Sequence, residues 1–406
     1  MFDIRYQYAL RTTSFKEQPV SKNSLTNFRV ELYRYHEEHG VDLIKKEIES
    51  HSKQFSKLLN IDGKTIRMDS LMISSSCRKL SLLEIIYSTV ERLIKALAKT
   101  NIRLPENLKA YLEEGHYDDT IYRSKDKDLN SKLKIILADD LELYSLYRGN
   151  EVIKETEEFK FLCRILKEQT QVESSIKPSK DIAPDSLQNP TDPNATYRKK
   201  GNKKHLGYTA NLVENFDDKN RIITHYDLQK NTYGDQIFTR DTIERLEKDE
   251  TTLLVDGAYY SENISKQSES KNIKMVPTSL VGRSQKCGYE KFEIDEKRNM
   301  IKRCPSGHKP VYITFKKGSN RARFNKKHCN NCPLRENYPV VKQKKRDLFV
   351  VSEKKLHRSQ LIIKMGTSKY QQLASKRAGI EGVPSVLRRR YNIDYLPVRR
   401  LVRSKV

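Results

Sequence analysis

The chain has 406 residues, with 78 Lys and Arg against 53 Asp and Glu, a formal net charge of +25 and a pI of about 9.6. That length allows two or three domains, and so large a cationic excess points to a polyanionic partner, because releasing counterions from phosphates rewards clustered Lys and Arg. No apolar run of about 18 residues and no signal-peptide core occur, and six cysteines are too few for a disulfide scaffold, so the expectation is a cytoplasmic protein with no membrane partner.

Residues 1–60 carry helical periodicity, as in Ser24-Leu25-Thr26-Asn27-Phe28-Arg29-Val30-Glu31-Leu32-Tyr33, and read as a helical N-terminal region. The turn signal Asp62-Gly63 leads into a short strand, Thr65-Ile66-Arg67-Met68-Asp69. Leu82, Leu83, Ile86, Val90, Leu93, Ile94 and Leu97 then predict an amphipathic helix from 81 to about 99, and polar helices follow to about 168, so 61–168 is a first strand plus a helical insert. Residues 169–195, with Pro178, Pro184, Pro190 and Pro193, read as a linker. In 196–282, alternation over 205–213 and 221–226 predicts an antiparallel pair joined through Asp217-Asp218-Lys219-Asn220. A helix over about 234–248, a buried strand Thr252-Leu253-Leu254-Val255 ending at Asp256-Gly257, a helix over 261–270 and a strand over 273–276 complete that unit. A basic insertion over 283–360 and a C-terminal helix with a basic tail over 361–406 follow. This order describes an α/β fold, a mixed sheet flanked by helices, in which sites gather where loops leave strand ends. Asp69 and Asp256 both fall at such ends.

Taken singly, each acid has a plain alternative. Asp256 can be a turn residue, Asp69 a cap for the polar stretch from Ser70 to Ser76, and Glu381 a salt-bridge partner of Arg377 or Arg388. Together they suit phosphodiester chemistry, which is helped by two divalent ions clamping the attacking and leaving oxygens. Mg²⁺ prefers carboxylate oxygens and keeps several waters, so carboxylates from separate elements form a sufficient site.

Four segments carry a family likeness. Arg67-Met68-Asp69-Ser70-Leu71-Met72-Ile73, Thr191-Asp192-Pro193-Asn194-Ala195-Thr196-Tyr197-Arg198-Lys199-Lys200, Leu254-Val255-Asp256-Gly257-Ala258-Tyr259-Tyr260-Ser261 and Arg377-Ala378-Gly379-Ile380-Glu381-Gly382 resemble, in order, motifs of bacterial insertion-sequence transposases of the DDE superfamily. The resemblance implies a ribonuclease-H-like catalytic core with an insertion before the glutamate helix, and an N-terminal DNA-binding region. It makes Asp69 the first catalytic acid, Asp256 the second and Glu381 the third, all ligands of Mg²⁺ (or Mn²⁺). It further implies double-stranded DNA as partner (transposon ends and target), a homodimer on DNA, and a place at the bacterial nucleoid. Asp192 is the alternative first acid, because its motif is also typical; Asp69 is preferred because a β-run precedes it, whereas Pro-rich sequence precedes Asp192. The chain departs from the pattern where relatives show Ala-Ser-Asn and Ser-Arg-Leu-Glu, having Ser74-Ser75-Ser76 and Ser81-Leu82-Leu83-Glu84 instead, and both ends read as truncated. The leading expectation is DNA cleavage followed by strand transfer, in which a freed 3′-hydroxyl attacks target DNA. Its rivals are a decayed, non-catalytic DNA-binding protein stabilised by zinc, and a nuclease of the same fold.

Cys304-Pro305-Ser306-Gly307-His308 and Cys329-Asn330-Asn331-Cys332 give two close ligand pairs that suit tetrahedral Zn²⁺, with His328 able to replace His308. The plain alternative is reduced cysteines in a loop. Lys326, Lys327, Arg377, Arg388, Arg389 and Arg390 are expected to contact DNA phosphates. No Walker loop or dinucleotide fingerprint occurs.

Overall fold

The computed structural model describes residues 4–14, 16–17, 20–21, 23–100, 102–123, 128–171, 176–247, 250–282, 288–295 and 300–406. It opens with helices α1 (Ile4–Leu10), α2 (Ser24–His39) and α3 (Leu43–Leu58), then strand β1 (Thr65–Ser74). A helical block follows: α4 (Leu82–Lys99), α5 (Leu129–Tyr147), α6 (Glu151–Lys154) and α7 (Glu157–Gln169). Next come β2 (Thr196–Lys200), β3 (Lys203–Phe216), β4 (Arg221–Lys230), α8 (Asp235–Arg245), β5 (Thr251–Val255), α9 (Glu262–Glu269) and β6 (Ile273–Pro277). Short elements make up the basic insertion: β7 (Glu293–Asp295), β8 (Met300–Arg303), β9 (Tyr312–Lys316), β10 (Ser319–Asn325), α10 (Lys326–Asn330), β11 (Val340–Val341) and β12 (Arg346–Ser352). Helices α11 (Glu353–Met365), α12 (Ser368–Arg377), α13 (Gly382–Tyr391) and α14 (Leu401–Lys405) close the chain.

The main sheet is mixed. β1 runs antiparallel to β3 and parallel to β5; β4 lies antiparallel on β3, β6 parallel on β5, and β2 pairs with the first residues of β3. Side chains of a strand alternate between faces, and β1 uses this to bury both. Ile66 and Met68 join Val213, Leu253, Val255, Phe238 and Ile264 in a core with α8 and α9. Leu71 and Ile73 point the other way, to Tyr208, Leu212, Ile380 and the α13 residues Val383 and Leu387. That second alternation also corrects the expected strand end. β1 continues past Asp69, paired with β3 as far as Ser74 opposite Gly207, because Leu71 and Ile73 keep an apolar face through a serine-rich stretch.

The helical block has its own core. The amphipathic face of α4 (Leu83, Ile86, Val90, Leu93, Ile94) meets Ile136, Leu143, Phe159, Leu162 and Ile165, and Ser81 with Glu84 forms a reciprocal capping box at its start. The segment expected as a linker is packed among its described residues. Leu187 is fully buried in that same core, Gln169 Nε2 donates to its carbonyl at 2.7 Å, and Asn189 and Asp192 are buried. One leucine anchor and satisfied polar groups hold a proline-rich stretch that composition alone reads as loose. The helix expected over 234–248 ends at Arg245, and Lys248 lies outside the described residues. The insertion contains strands the sequence did not suggest, an antiparallel sheet in the order β11-β12-β10-β9 and a β7-β8 pair, over a core of Tyr289, Phe292, Ile301, Phe324, Phe349 and Leu356.

Candidate active site

The parallel register of β1 and β5 pairs Thr65 with Thr252, Ile66 with Leu253 and Arg67 with Leu254. Carried two residues further, it brings Asp69 level with Asp256, the first residue beyond β5, on strands about 4.8 Å apart. Asp256 starts a 3-10 turn (Gly257–Tyr259), and its Oδ1 accepts from Gly257 N at 2.6 Å and Ser279 Oγ at 2.9 Å. Among the described residues nothing donates to its other oxygen. Gly257 is needed there, since a Cβ would stand 2.7 Å from the Ser279 carbonyl oxygen.

Asp69 shares a face of β1 with Leu71 and so looks toward the C-terminal helices. Its Oδ1 accepts from Ser70 N at 2.9 Å and from Arg377 Nη2 at 2.8 Å. Glu381 ends the 3-10 turn Ala378–Glu381 between α12 and α13, and its Oε1 accepts from Arg377 Nη1 at 2.8 Å. One guanidinium thus joins the first and third expected acids. Arg377, expected to contact DNA, is instead 9% exposed and engaged by both carboxylates, whereas the Glu381 side chain is 63% exposed. Tyr259 is buried close by, and burial together with the charges of Asp235 and Asp69 pushes its phenol up.

The three acids do not gather around one point: among the described residues, no group of three or more His, Cys, Asp or Glu is arranged to hold a metal ion. The physical reason on the Glu381 side is the Arg377 cation, which balances two carboxylates by charge-assisted hydrogen bonds. The pair Asp69 and Asp256 retains the hard oxygen donors that Mg²⁺ or Mn²⁺ favours, with a free carboxylate oxygen on Asp256.

Asp192 lies elsewhere. It is fully buried, and its oxygens accept from Ser75 Oγ at 2.5 Å, from the Tyr208 hydroxyl, and from Arg400 N at 3.0 Å. Ser75 is six residues beyond Asp69 along β1, roughly 20 Å at the rise of an extended chain. The neighbouring Thr191 and Pro190 accept from Arg92 of α4, and Asn194 accepts from Leu401 N. This motif is a clasp joining the end of β1, β3, α4 and the C-terminal tail.

In the insertion, Cys304, Cys329 and Cys332 line one small cavity with Pro305 and Ser306, and the rings of His308 and His328 stack 4.1 Å apart, but among the described residues the expected Cys304, His308, Cys329 and Cys332 set is not arranged as a metal-holding group either. Gly307, at φ 83°, closes the Cys304 turn by donating to its carbonyl. Burial, with a smaller effect of Asp347, pushes the Cys329 thiol up. Lys327, Arg388, Arg389 and Arg390 are exposed and Lys326 is half-buried; Arg388 pairs with Asp394 at 3.1 Å. Sequence reasoning missed Ser279, Arg67 and Glu214, the last two a buried ion pair (Nε to Oε2, 2.5 Å) beside the site. A signal for Arg67 existed, since it stands two residues before Asp69 and therefore on the same strand face.

Residues 303–406 match the model of a family described as a transposase DDE domain. That span contains Glu381, Cys304, His308, Cys329 and Cys332, and it bears out the resemblance to DDE transposases read from the motifs. The solved structure of a piggyBac transposase synaptic complex with hairpin DNA is similar at 11% identity, covering 88% of this chain and 68% of that one, with a TM-score of 0.22, too low to support any argument. No curated protein matches the chain. Among the described residues no helix is long and apolar enough to cross a membrane.

Proposed function

We propose that this chain is the transposase of a bacterial insertion sequence, cutting and joining DNA by metal-dependent phosphoryl transfer at a ribonuclease-H-like core. The observation that carries the proposal is the parallel β1–β5 register, Arg67 opposite Leu254, which carried two residues further sets Asp69 level with Asp256 just beyond β5. The central β1, flanked by antiparallel β3 and parallel β5, supports the fold reading, and the family match over 303–406 supports the transposase reading. Burial of Asp192 among neutral donors supports Asp69 as the first acid.

Asp69 and Asp256 would hold Mg²⁺ or Mn²⁺, with Glu381 completing the site from the α12–α13 turn. Bound ions of this kind activate a water or 3′-hydroxyl and neutralise charge on the phosphate oxygens. Arg377 orients Asp69 and Glu381, and exposed Lys327, Arg388, Arg389 and Arg390 would take phosphates of the transposon end and target. Synapsis of two DNA ends calls for a homodimer at the nucleoid. Cys304, Cys329, Cys332 and His308 would hold a structural Zn²⁺, away from the chemistry.

A strand-transfer assay with labelled donor ends tests this. Asp69→Asn, Asp256→Asn and Glu381→Gln are expected to abolish Mg²⁺-dependent cleavage and joining while leaving DNA binding intact, because an amide keeps shape but loses the charge that holds the metal. Equal loss of DNA binding would make the acids structural. The Arg377 bridge between Asp69 and Glu381 favours one second reading, a DNA-binding protein without catalysis; wild-type protein that binds ends without cutting them would establish it, and cutting without joining would indicate a nuclease.

A further inference from the structure

We infer that Arg67 is a positioning residue: with Glu214 as its buried counter-ion, it holds the end of α12 on the sheet and so fixes where Glu381 stands relative to Asp69. The inference rests on the catalytic reading of those two acids.

Arg67 is 5% exposed and Glu214 1%. They are register partners on β1 and β3, joined from Nε to Oε2, and the Arg67 guanidinium lies over the Phe216 ring, 4.1 Å from its centroid. Its Nη1 donates to the carbonyl of Lys376. That carbonyl belongs to the last turn of α12, whose final carbonyls have no N–H partner within that helix and where a cation also meets the negative end of the helix dipole. The following turn crosses directly over this guanidinium: a Cβ on Gly379 would stand 2.2 Å from Nη1 and 2.8 Å from Cζ of Arg67. From β4, Arg221 Nη1 donates to the Gly379 carbonyl at 3.3 Å. Two arginines therefore grip the turn at Lys376 and Gly379, and within the gripped stretch is Arg377, whose guanidinium ties Asp69 to Glu381.

Stability alone does not account for the pair. Burying two charges is costly, and an apolar pair of similar volume is often neutral or stabilising in such a place. What the charge adds is direction. The planar fork of arginine reaches Glu214 and the Lys376 carbonyl together, which the single ammonium of lysine does not.

Removing Arg67 alone leaves the buried Glu214 with only the Arg221 guanidinium, 4.0 Å away, and endangers the fold, so two other variants carry the test. Gly379→Ala drives a methyl into the guanidinium, and the double variant Arg67→Met/Glu214→Leu removes the grip while keeping the volume apolar. For each, the rate of donor-DNA cleavage is followed against Mn²⁺ concentration, with DNA affinity and thermal midpoint measured beside it and Glu381→Gln as reference. Both variants are expected to bind DNA as wild type does, to need more Mn²⁺ for half-maximal rate, and to lose roughly 100-fold in cleavage, the scale of about a 1 Å misplacement of a reacting group. Arg67→Lys should fall between them and wild type. Wild-type Mn²⁺ activation in both variants, with Glu381→Gln inactive, overturns this inference alone. Loss of cleavage matched by equal loss of DNA affinity or folding overturns it as well, by making the pair merely structural. Wild-type cleavage by Glu381→Gln overturns the catalytic reading and this inference together.

Discussion

The substitution that best separates the two candidate first acids is Asp192→Ala. Its carboxylate takes hydrogen bonds from Ser75 Oγ, the Tyr208 hydroxyl and Arg400 N, and it is fully buried. A hydrogen bond to a charged acceptor contributes about 1.5–3 kcal/mol. The three share one group and are not additive, so the expected cost is about 3–5 kcal/mol, the range for breaking a buried charged interaction from one side. Urea unfolding followed by circular dichroism measures that cost, and Mg²⁺-dependent cleavage is then assayed at a temperature where the variant stays folded. Under those conditions Asp192→Ala should cleave at a rate reduced only modestly, whereas Asp69→Ala, which leaves Arg377 paired with Glu381, should lose less stability than Asp192→Ala and not cleave at all. The opposite pattern, an undiminished midpoint with abolished cleavage in Asp192→Ala and cleavage retained in Asp69→Ala, would refute the assignment and make Asp192 the first acid.

Two other outcomes are expected. Asp140 in α5 is fully buried with neither oxygen bonded among the described residues, and burial, with a smaller effect from Asp139, holds its carboxyl well above the usual range. An acid whose folded value is raised stabilises the fold at low pH and loses that contribution as pH rises from about 4, where the unfolded chain ionises first; Asp140→Leu should therefore be more stable by about 1–3 kcal/mol at neutral pH and flatten the urea midpoint against pH, and equal slopes in both proteins would refute this. Metal analysis of purified protein should find about one zinc per chain, lost in Cys329→Ser or Cys332→Ser together with stability of the insertion; fully folded, zinc-free wild type would dismiss the site.

How far the sequence announced this arrangement depends on the reach of the interactions involved. The β5 strand and Asp256 were legible because a local apolar run ends in Asp-Gly, and the α4 helix because its period is local too. The span of β1 beyond Asp69 was hidden by serines that face one side while Leu71 and Ile73 serve the other. The strands of the insertion are two to seven residues long, and where β10 does alternate it buries Asn320 and Ala322 beside Phe324, so its apolar signal is weak. Nothing local could reveal that Arg67 meets a glutamate 147 residues away, or that Arg377 meets Asp69 across 308.

The rivalry of Asp69 and Asp192 shows the same limit in its sharpest form. Both stand in motifs of the right type, and the residues beside each in sequence do not tell a ligand from a strut. The difference lies in what the fold supplies to each oxygen. Asp192 receives two hydroxyls and a backbone N–H from positions 117, 16 and 208 residues distant, with no water access, an environment that holds a carboxylate permanently and leaves no face for an incoming ion. Asp69 is met by the Arg377 guanidinium and by Ser70 N within the central strand, and the β1–β5 register carried two residues on sets it level with a second carboxylate that keeps one oxygen unbonded among the described residues. A carboxylate held by a cation beside a second acid suits a group placed to bind a metal; one enclosed by fixed neutral donors suits a strut.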